Sequence, residues 1–255
     1  MRPSLAIARH ELRVMRTDLE TPMFLILMPV LMMAFLKPVF ELTLQAEGFA
    51  GANGSEQAVP GMAVMFSGFF VGYVGFAFMR DHGWGTWERL RASPASPLEI
   101  MAGKIVPPLL ISAMQLIVLF GLGGLLFDLS INGSIVALLF VITALVLSFM
   151  AFGIAVTALS RTSQQLNALG SAGGMIFATF GGALAPVSVM PGWAAAVAPA
   201  TPTYWAMRGF RSVILEGGGV ASVLLPTIVL LLFGAAFTAI AVVKFNFEET
   251  KVYFG

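Results

Sequence analysis

Cysteine is absent from this 255-residue chain, and charged residues make up only 11% of it. Without cysteine there is no disulfide framework, no thiolate metal site and no thiol nucleophile. The charged fraction is far below the roughly 25% of a soluble domain. Hydrophobic residues reach 58%, in apolar runs of about 20 residues, the length that crosses a hydrocarbon core of roughly 30 Å. Composition therefore predicts an all-α, polytopic membrane protein.

Motifs for catalysis and for energy coupling are missing as well. The sequence contains no H-E-x-x-H, no G-x-S-x-G and no phosphate-binding G-x-x-x-x-G-K-[ST]. His10 and His82 have no partner histidine at metal-binding spacing, and we expect His82 to be a solvated loop residue. The spans carry no row of acids for proton or sodium coupling. We therefore expect no catalytic residue, cofactor or metal on this chain, so that any transport draws its energy from another polypeptide.

Six apolar runs predict six transmembrane helices in a single domain over residues 1–255. In chain order they are 22–40, 60–79, 105–127, 135–159, 167–185 and 222–243. If the N-terminus is cytoplasmic, eleven Lys and Arg residues lie on the inner side and three on the outer side. The positive-inside rule then predicts that both termini face the cytoplasm. We expect the chain in the cytoplasmic membrane, which would be the inner membrane of a bacterium.

Residues 1–21 predict a cytoplasmic interfacial helix. Apolar residues recur there every three or four positions and form one stripe, with arginines along its flank that can reach lipid phosphates. A basic leader that only sets the topology is the alternative. The residues of the stripe are Leu5, Ala8, Leu12, Met15 and Leu19.

The first span contains three residues that are unusual inside a membrane helix. Pro29 removes a backbone donor and should kink the helix. Lys37 and Glu41 are four residues apart, so they can pair across one helical turn. The alternatives are that the two residues form part of a substrate site, or that Lys37 extends alone to the membrane surface.

The fifth span is rich in small residues, which allow another helix backbone to approach closely. Helix packing explains this composition. The functional alternative is that the fifth span moves against a partner subunit. The residues after it, 186–214, are apolar but interrupted by four prolines. Such a backbone is tolerated at membrane depth only where protein or a wet cavity covers it. We predict short re-entrant or interfacial helices on the outer side, with Trp193, Tyr204 and Trp205 at the level of the lipid headgroups.

Residues 80–104 form the most polar stretch between two spans. A short helix over 87–92, capped by a threonine, is marginal alone and needs a docking partner. Its tryptophan and leucine can enter a groove of that partner while its arginines pair with acids around it. A lipid-facing turn with tryptophan anchors is the alternative. The residues that we expect to contact the partner are Thr86, Trp87, Glu88, Arg89, Leu90 and Arg91.

This segment resembles the type-2 ATP-binding-cassette (ABC) exporter permeases, and among them the daunorubicin-type drug and antibiotic exporters. The shared pattern is G-T-x-E-R-L, a Ser-Pro turn, and then an acid and G-K at the entry to the third span. The layout of nearly the whole chain is similar too. Gly83 departs from the pattern, because the family usually carries an acid there. The pattern is filled by Gly85, Thr86, Glu88, Arg89, Leu90, Ser93, Pro94, Glu99, Gly103 and Lys104.

The resemblance implies a coupling helix seated on a cytoplasmic ABC ATPase, which binds ATP and Mg and is present in two copies per complex. It also implies a second permease copy or a paralogue, with the first and fifth spans meeting across the dimer. Membrane lipids are further partners, and nucleic acid is not. The expected dimer or gating residues are Pro29, Gly170, Gly173 and Gly174, and the expected path-lining residues are Ser67, Phe70, Tyr73, Phe177 and Phe180.

The function implied by the resemblance is outward, ATP-driven transport of a hydrophobic or amphipathic cargo, such as a drug, an antibiotic or a lipid. A polysaccharide or a lipid-linked glycan is the alternative cargo. Outside this class, a membrane assembly or immunity factor, or a channel or ion-coupled carrier, remains open. A Walker A motif in the neighbouring reading frame would favour the exporter.

Overall fold

The structure is a computed structural model, which describes residues 3–17 and 20–244 and contains helices and no strand in those ranges. The all-helical prediction is therefore confirmed there. Of the residues used in the predictions, Leu19 of the apolar stripe, the inner-side charges Arg2 and Lys251, and the side chain of the inner-side Arg16 lie outside the described residues. The helices are α1 (Pro3–Thr17), α2 (Glu20–Ala46), α3 (Ser55–Ser67), α4 (Phe70–Gly83), α5 (Trp87–Arg91), α6 (Pro97–Phe127), α7 (Ile135–Leu159), α8 (Ser163–Phe180), α9 (Gly192–Val197), α10 (Pro202–Ile214) and α11 (Val220–Lys244).

Five stretches within the described ranges are long and apolar enough to cross a membrane. They coincide with five of the six predicted spans, so the chain is a multi-pass membrane protein. The prediction at 167–185 falls on α8, whose Gln, Asn, Ser and Gly residues make it less apolar than the others. The five are Met23–Ala46, Ser55–Gly83, Pro97–Phe127, Ile135–Leu159 and Val220–Lys244.

The second of these stretches is two helices, because α3 ends at Ser67 and α4 begins at Phe70. α8 packs against this break. A Cβ atom on Gly68 would lie 3.4 Å from the Cα atom of Gly174, so the two backbones are in direct contact. The glycines of α8 thus serve a close approach between helices of the same chain.

Helix α2 runs without interruption through Pro29 and Pro38 and ends six residues beyond the predicted boundary. The expected ion pair between Lys37 and Glu41 does not form in the described part of the chain, and Glu41 accepts a hydrogen bond from Gln45 at 3.2 Å. The start of α3 packs on this part of α2. A Cβ atom on Gly54 would lie 2.0 Å from the carbonyl oxygen of Lys37.

Helix α7 lies in the middle of the core, packed against α4, α10 and α11. The outward faces of α2, α6 and α11 carry exposed apolar side chains such as Phe35, Leu125 and Val243. Exposed large hydrophobic side chains in such number are typical of a surface that contacts lipid.

The proline-interrupted residues 186–214 form short helices, as predicted. Two 3₁₀ turns, Val187–Val189 and Ala198–Ala200, flank α9, and α10 follows. The backbone N–H of Tyr204 bonds to the Thr201 hydroxyl at the start of α10, and the indole N–H of Trp205 donates to the Pro199 carbonyl at 2.9 Å. These bonds satisfy a backbone donor in the first turn of α10 and the carbonyl of Pro199 in the preceding 3₁₀ turn.

Candidate functional site

The short helix predicted within residues 80–104 is α5, which ends one residue before the predicted boundary at 92. A turn then leads to α6, which begins at Pro97 with a capping box. The backbone N–H of Glu99 donates to the Ser96 hydroxyl at 3.3 Å, and the Ser96 N–H donates to the Glu99 carboxylate at 3.0 Å. Ser96 and Glu99 therefore fix where α6 starts.

Thr86 occupies the expected position before α5, but its side chain does not cap the helix. Its hydroxyl donates instead to Asp81 Oδ1 at 2.7 Å. Asp81 lies near the end of α4. The threonine thus ties the short helix to α4, a role that the sequence pattern did not indicate.

Trp87 is only 2% exposed, so in this structure its ring cannot enter the groove of a partner. It stacks on His82, with ring centroids 4.6 Å apart. His82 is accordingly not a solvated loop residue, since it lies in α4 and its Nδ1 atom is 3.0 Å from the Phe78 carbonyl oxygen. A helix of only five residues is unstable alone, and the stacking of Trp87 on His82 supplies the stabilisation that further helical turns would otherwise give.

The outward side of α5 is charged. Glu88 and Arg89 are exposed, and Leu90 is half-buried. Arg91 Nη1 lies 3.4 Å from the Glu88 carboxylate, an exposed pair of small energetic value. Three charged side chains are therefore available to a partner, and the apolar residues of α5 face their own chain.

Beneath α5 lies a group of four charged residues, Glu11, Arg80, Asp81 and Lys104, which we call the ion cluster. Arg80 Nη2 is 2.5 Å from one oxygen of Glu11, and Lys104 Nζ is 3.1 Å from the other. Lys104 also pairs with Asp81 and donates to the Ala77 carbonyl at 2.9 Å. Its side chain is 1% exposed. Two cations and two carboxylates thus balance one another away from water.

A glycine brings α1 close enough to contribute Glu11. A Cβ atom on Gly103 would lie 2.7 Å from the Cβ atom of Ile7, so α1 rests directly on α6. The buried face of α1 carries Glu11 and Met15, whereas Leu5 of the predicted apolar stripe is 58% exposed. Glu11 lies on the buried face because pairing with Arg80 and Lys104 makes the inward position of a carboxylate favourable.

The G-K pair of the sequence pattern therefore has a structural meaning. Gly103 admits α1, and Lys104 binds Glu11 and Asp81. Sequence analysis missed this arrangement, since Glu11 is 69 residues from Arg80 and 93 from Lys104. The available signal was Glu11 itself, a charged residue on the apolar face of an amphipathic helix, which needs a cationic partner if that face is buried.

Of the five residues predicted to line a path, Tyr73 lines a groove in the described part of the chain. Ser67 and Phe70 are buried in the core, and Ser67 donates to the Val64 carbonyl at 2.7 Å. The exposed neighbour is Phe69, because the break between α3 and α4 changes which residues face outward. The groove has a volume of about 210 Å³, and its walls include Phe24, Phe69, Tyr73, Asn167 and Ser171.

The other two path residues make aromatic contacts within the chain. Phe177 lies 5.0 Å from Phe152 between ring centroids, and Phe180 lies 5.8 Å from Trp193. Both side chains are half-buried. These contacts account for the two phenylalanines through packing.

The predicted dimer or gating residues also have contacts inside the chain. Cβ atoms on Gly170 and Gly174 would meet the backbone or side chains of the α3–α4 region at 3.4 Å. One on Gly173 would lie 2.7 Å from the ring of Phe152. Pro29 faces the core of its own chain. Packing explains these positions within one protomer.

Comparison with known proteins gives matches to transporter components. The family described as "ABC-2 type transporter" matches residues 4–215. The "Linearmycin resistance permease protein LnrN" of Bacillus subtilis is 27% identical over 151 residues, which are 59% of this chain and 39% of the relative. The "Probable multidrug ABC transporter permease YbhR" of Escherichia coli is 28% identical over 114 residues, which are 45% of this chain and 31% of the relative.

The matched stretches thus span less than half the length of either relative. No solved structure matches the chain significantly.

Proposed function

Because the chain belongs to the ABC-2 type transporter family, we propose that it is the membrane-spanning permease subunit of an ATP-driven exporter. The cargo is hydrophobic or amphipathic, of the drug or antibiotic kind or a lipid, and it moves outward across the cytoplasmic membrane. The names of the two relatives, one a linearmycin resistance permease and one a multidrug permease, support this class of cargo. The aromatic walls of the groove at Phe69 and Tyr73 fit an apolar molecule.

The proposed topology has six spans with both termini in the cytoplasm. α3 and α4 together form the second span, and α8 forms the fifth. With 18 residues α8 is about 27 Å long, close to the thickness of a hydrocarbon core. The excess of Lys and Arg on one side supports the orientation. Residues 186–214 lie at the outer surface as a re-entrant or interfacial segment.

ATP binds with Mg to a separate cytoplasmic ATPase, present in two copies, and α5 is the helix that receives its motion. The observation that carries this proposal is the link from α5 to the ion cluster. Thr86 donates to Asp81, Asp81 pairs with Lys104 at the start of a spanning helix, and Lys104 pairs with Glu11 on α1. A force on α5 therefore reaches α4, α6 and α1 through buried ion pairs.

The working unit is a dimer of this chain or of this chain with a paralogue. α2 and α8 face the second protomer, since both expose residues that no other part of the described chain covers. Pro29 and the glycines of α8 then allow these two helices to adjust during the cycle. The cargo passes along the groove at Phe69 and Tyr73.

The test is co-purification of the chain with the ABC ATPase encoded in the neighbouring reading frame. In Arg89→Ala, we expect several-fold less ATPase to co-purify and less stimulation of hydrolysis, because Arg89 is an exposed charge of α5. Leu98→Ala is the matched control, being 81% exposed in the same cytoplasmic segment but outside α5. Equal recovery of the ATPase with Arg89→Ala and wild type would contradict the coupling role.

Export itself is tested with the reconstituted pair in vesicles. We expect vanadate-sensitive outward movement of a fluorescent amphipathic drug, and no movement without ATP. Transport that persists without ATP would contradict the proposed function.

A further inference from the structure

A polar pocket lies at the end of the molecule opposite the ion cluster. It has a volume of about 330 Å³, and it is formed by the end of α2, the start of α3, the turn after α8, and α10. We call it the outer pocket. None of the groups in its wall belongs to the proposed coupling helix or to the groove at Phe69. Its polar side chains are Glu47, Gln57, Ser188, Tyr204, Arg208, Arg211 and Glu216.

Most of the charges in this wall are paired. Arg211 Nη2 lies 2.6 Å from Glu47, and its Nε atom lies 3.9 Å from Glu216. Ser188 donates to the other oxygen of Glu47. Arg211 therefore stands between both carboxylates, and these contacts hold α2, α10 and the turn after α8 together.

Arg208 is different, because no carboxylate pairs with it in the described ranges. Its guanidinium lies 5.5 Å from the ring centroid of Trp205, and the side chain is exposed. A guanidinium on an aromatic ring keeps the N–H donors along its edge, where they can bind an oxyanion in bidentate fashion. Arg208 is thus a cation in a pocket wall whose N–H donors bind no group within residues 3–17 and 20–244.

The helix that carries Arg208 is firmly packed. A Cβ atom on Gly209 would lie 2.8 Å from Val141, so α10 is in close contact with α7. Thr203 donates to the Phe177 carbonyl at the end of α8. The backbone position of Arg208 is therefore set before any ligand arrives, which reduces the entropy lost on binding.

The opposite wall is rigid too. Gly182 has φ +88°, a conformation that other residues rarely adopt, and its carbonyl accepts a hydrogen bond from the buried Gln57 at 2.8 Å. A Cβ atom on Gly181 would lie 1.8 Å from the Thr203 hydroxyl, so only glycine fits there. The pocket is consequently a built cavity between fixed elements.

Aromatic side chains place this pocket at the level of lipid headgroups. Trp193, on α9, is 67% exposed, and Tyr204 and Trp205 lie on the turn of α10 that precedes Arg208. Tryptophan and tyrosine concentrate at membrane–water interfaces. The volume is at the lower end of the range for small-molecule sites, which suits a headgroup better than a large cargo.

We propose that the outer pocket binds the phosphate of a phospholipid headgroup, with Arg208 as the anion-binding residue and Tyr204 beside it. The inference rests on the proposed function only for the topology that brings α10 to the outer surface of the membrane. The chemistry that it requires is a phosphate ester. A lipid and a soluble phosphate both supply that group, and the test separates them.

The test measures binding to the full-length chain, purified in a detergent without phosphate, by native mass spectrometry and by titration. The probes are short-chain phosphatidylglycerol, inorganic phosphate, and a diacylglycerol with the same acyl chains. We expect saturable binding of phosphatidylglycerol, weakened about tenfold or more in Arg208→Gln and partly restored in Arg208→Lys. Lys244→Gln, which removes an exposed positive charge at the far end of α11, should bind as wild type does.

Equal binding by Arg208→Gln and wild type, or equal binding of diacylglycerol and phosphatidylglycerol, would overturn the proposal. Inorganic phosphate that binds with the same dependence on Arg208 would support the anion site and assign it to a soluble phosphate. The assay contains no ATPase and no transport step. A failure here therefore leaves the exporter proposal standing, and a failure of ATP-driven export leaves the lipid result intact.

Discussion

Lys104 is the central residue of the ion cluster. It is buried, and it contacts Glu11, Asp81 and the Ala77 carbonyl at the same time. Removing one member of a buried ion pair costs about 3–5 kcal/mol, because the other member stays in the interior without compensation. In this cluster one lysine compensates two carboxylates from two different helices.

We predict that Lys104→Met lowers the free energy of unfolding by about 3–5 kcal/mol. Lys104→Met combined with Asp81→Asn restores the balance of charge and should recover part of the loss. Denaturant unfolding of the purified chain in detergent measures both, with the exposed Lys244→Met as a control within about 0.5 kcal/mol of wild type. The unfolding free energy lost by the double variant is compared with the losses of Lys104→Met alone and Asp81→Asn alone. If it equals their sum, Lys104 and Asp81 are not energetically coupled.

At the scale of elements, the sequence predicted the helices that are long and uniformly apolar. α7 has the predicted bounds, 135–159, since its polar neighbours end the apolar run on both sides. α6 starts at Pro97, eight residues before the predicted 105, because a capping box extends it out of the apolar region. Hydropathy finds the part of a helix that lies in the membrane and not the part beyond it.

For the candidate site, the sequence predicted where α5 lies along the chain but not which side of α5 faces the rest of the protein. The pattern located α5 to within one residue, but a helix of five residues has no periodicity that tells which side faces inward. The stacking of Trp87 on His82 decides that question, and it depends on how α4 ends. The break after Ser67 was not predictable either, and it decides that Ser67 and Phe70 are buried whereas Phe69 is exposed.

The packing of α3 against the turn after α8 leads to a prediction about glycine. A Cβ atom on Gly61 would lie 2.3 Å from the backbone carbonyl oxygen of Ala183, so Gly61→Ala forces two elements apart. We expect a loss of about 1–3 kcal/mol in the free energy of unfolding. The matched control is Gly121→Ala on α6, which has open space and should be neutral or slightly stabilising. Equal stability of the two variants would contradict this packing.

At the scale of the whole molecule, the two polar ends have different chemistry. One end has the ion cluster and the exposed charges of α5, and the other has the outer pocket and the short helices of residues 186–214. A chain that binds a motor on one side and meets lipid on the other needs such a difference. The proposed orientation assigns the first end to the cytoplasm.

The absence of cysteine makes this orientation directly testable. Single cysteines are introduced at two exposed positions, Ala92→Cys after α5 and Ala196→Cys in α9. We expect a membrane-impermeant maleimide to label Ala196→Cys in intact cells, and Ala92→Cys only after the membrane is permeabilised. Labelling of Ala92→Cys in intact cells would reverse the orientation, and wild type, having no thiol, is the blank.

The ion cluster also sets an order for biosynthesis. Glu11 is made early, but its partner Lys104 follows 93 residues later, at the start of the third apolar stretch. Before Lys104 has been synthesised, Arg80 is the one cation of the ion cluster present with the two carboxylates. The contacts of α1 with Gly103 and Lys104 on α6 can therefore form only after the first two apolar stretches have been made.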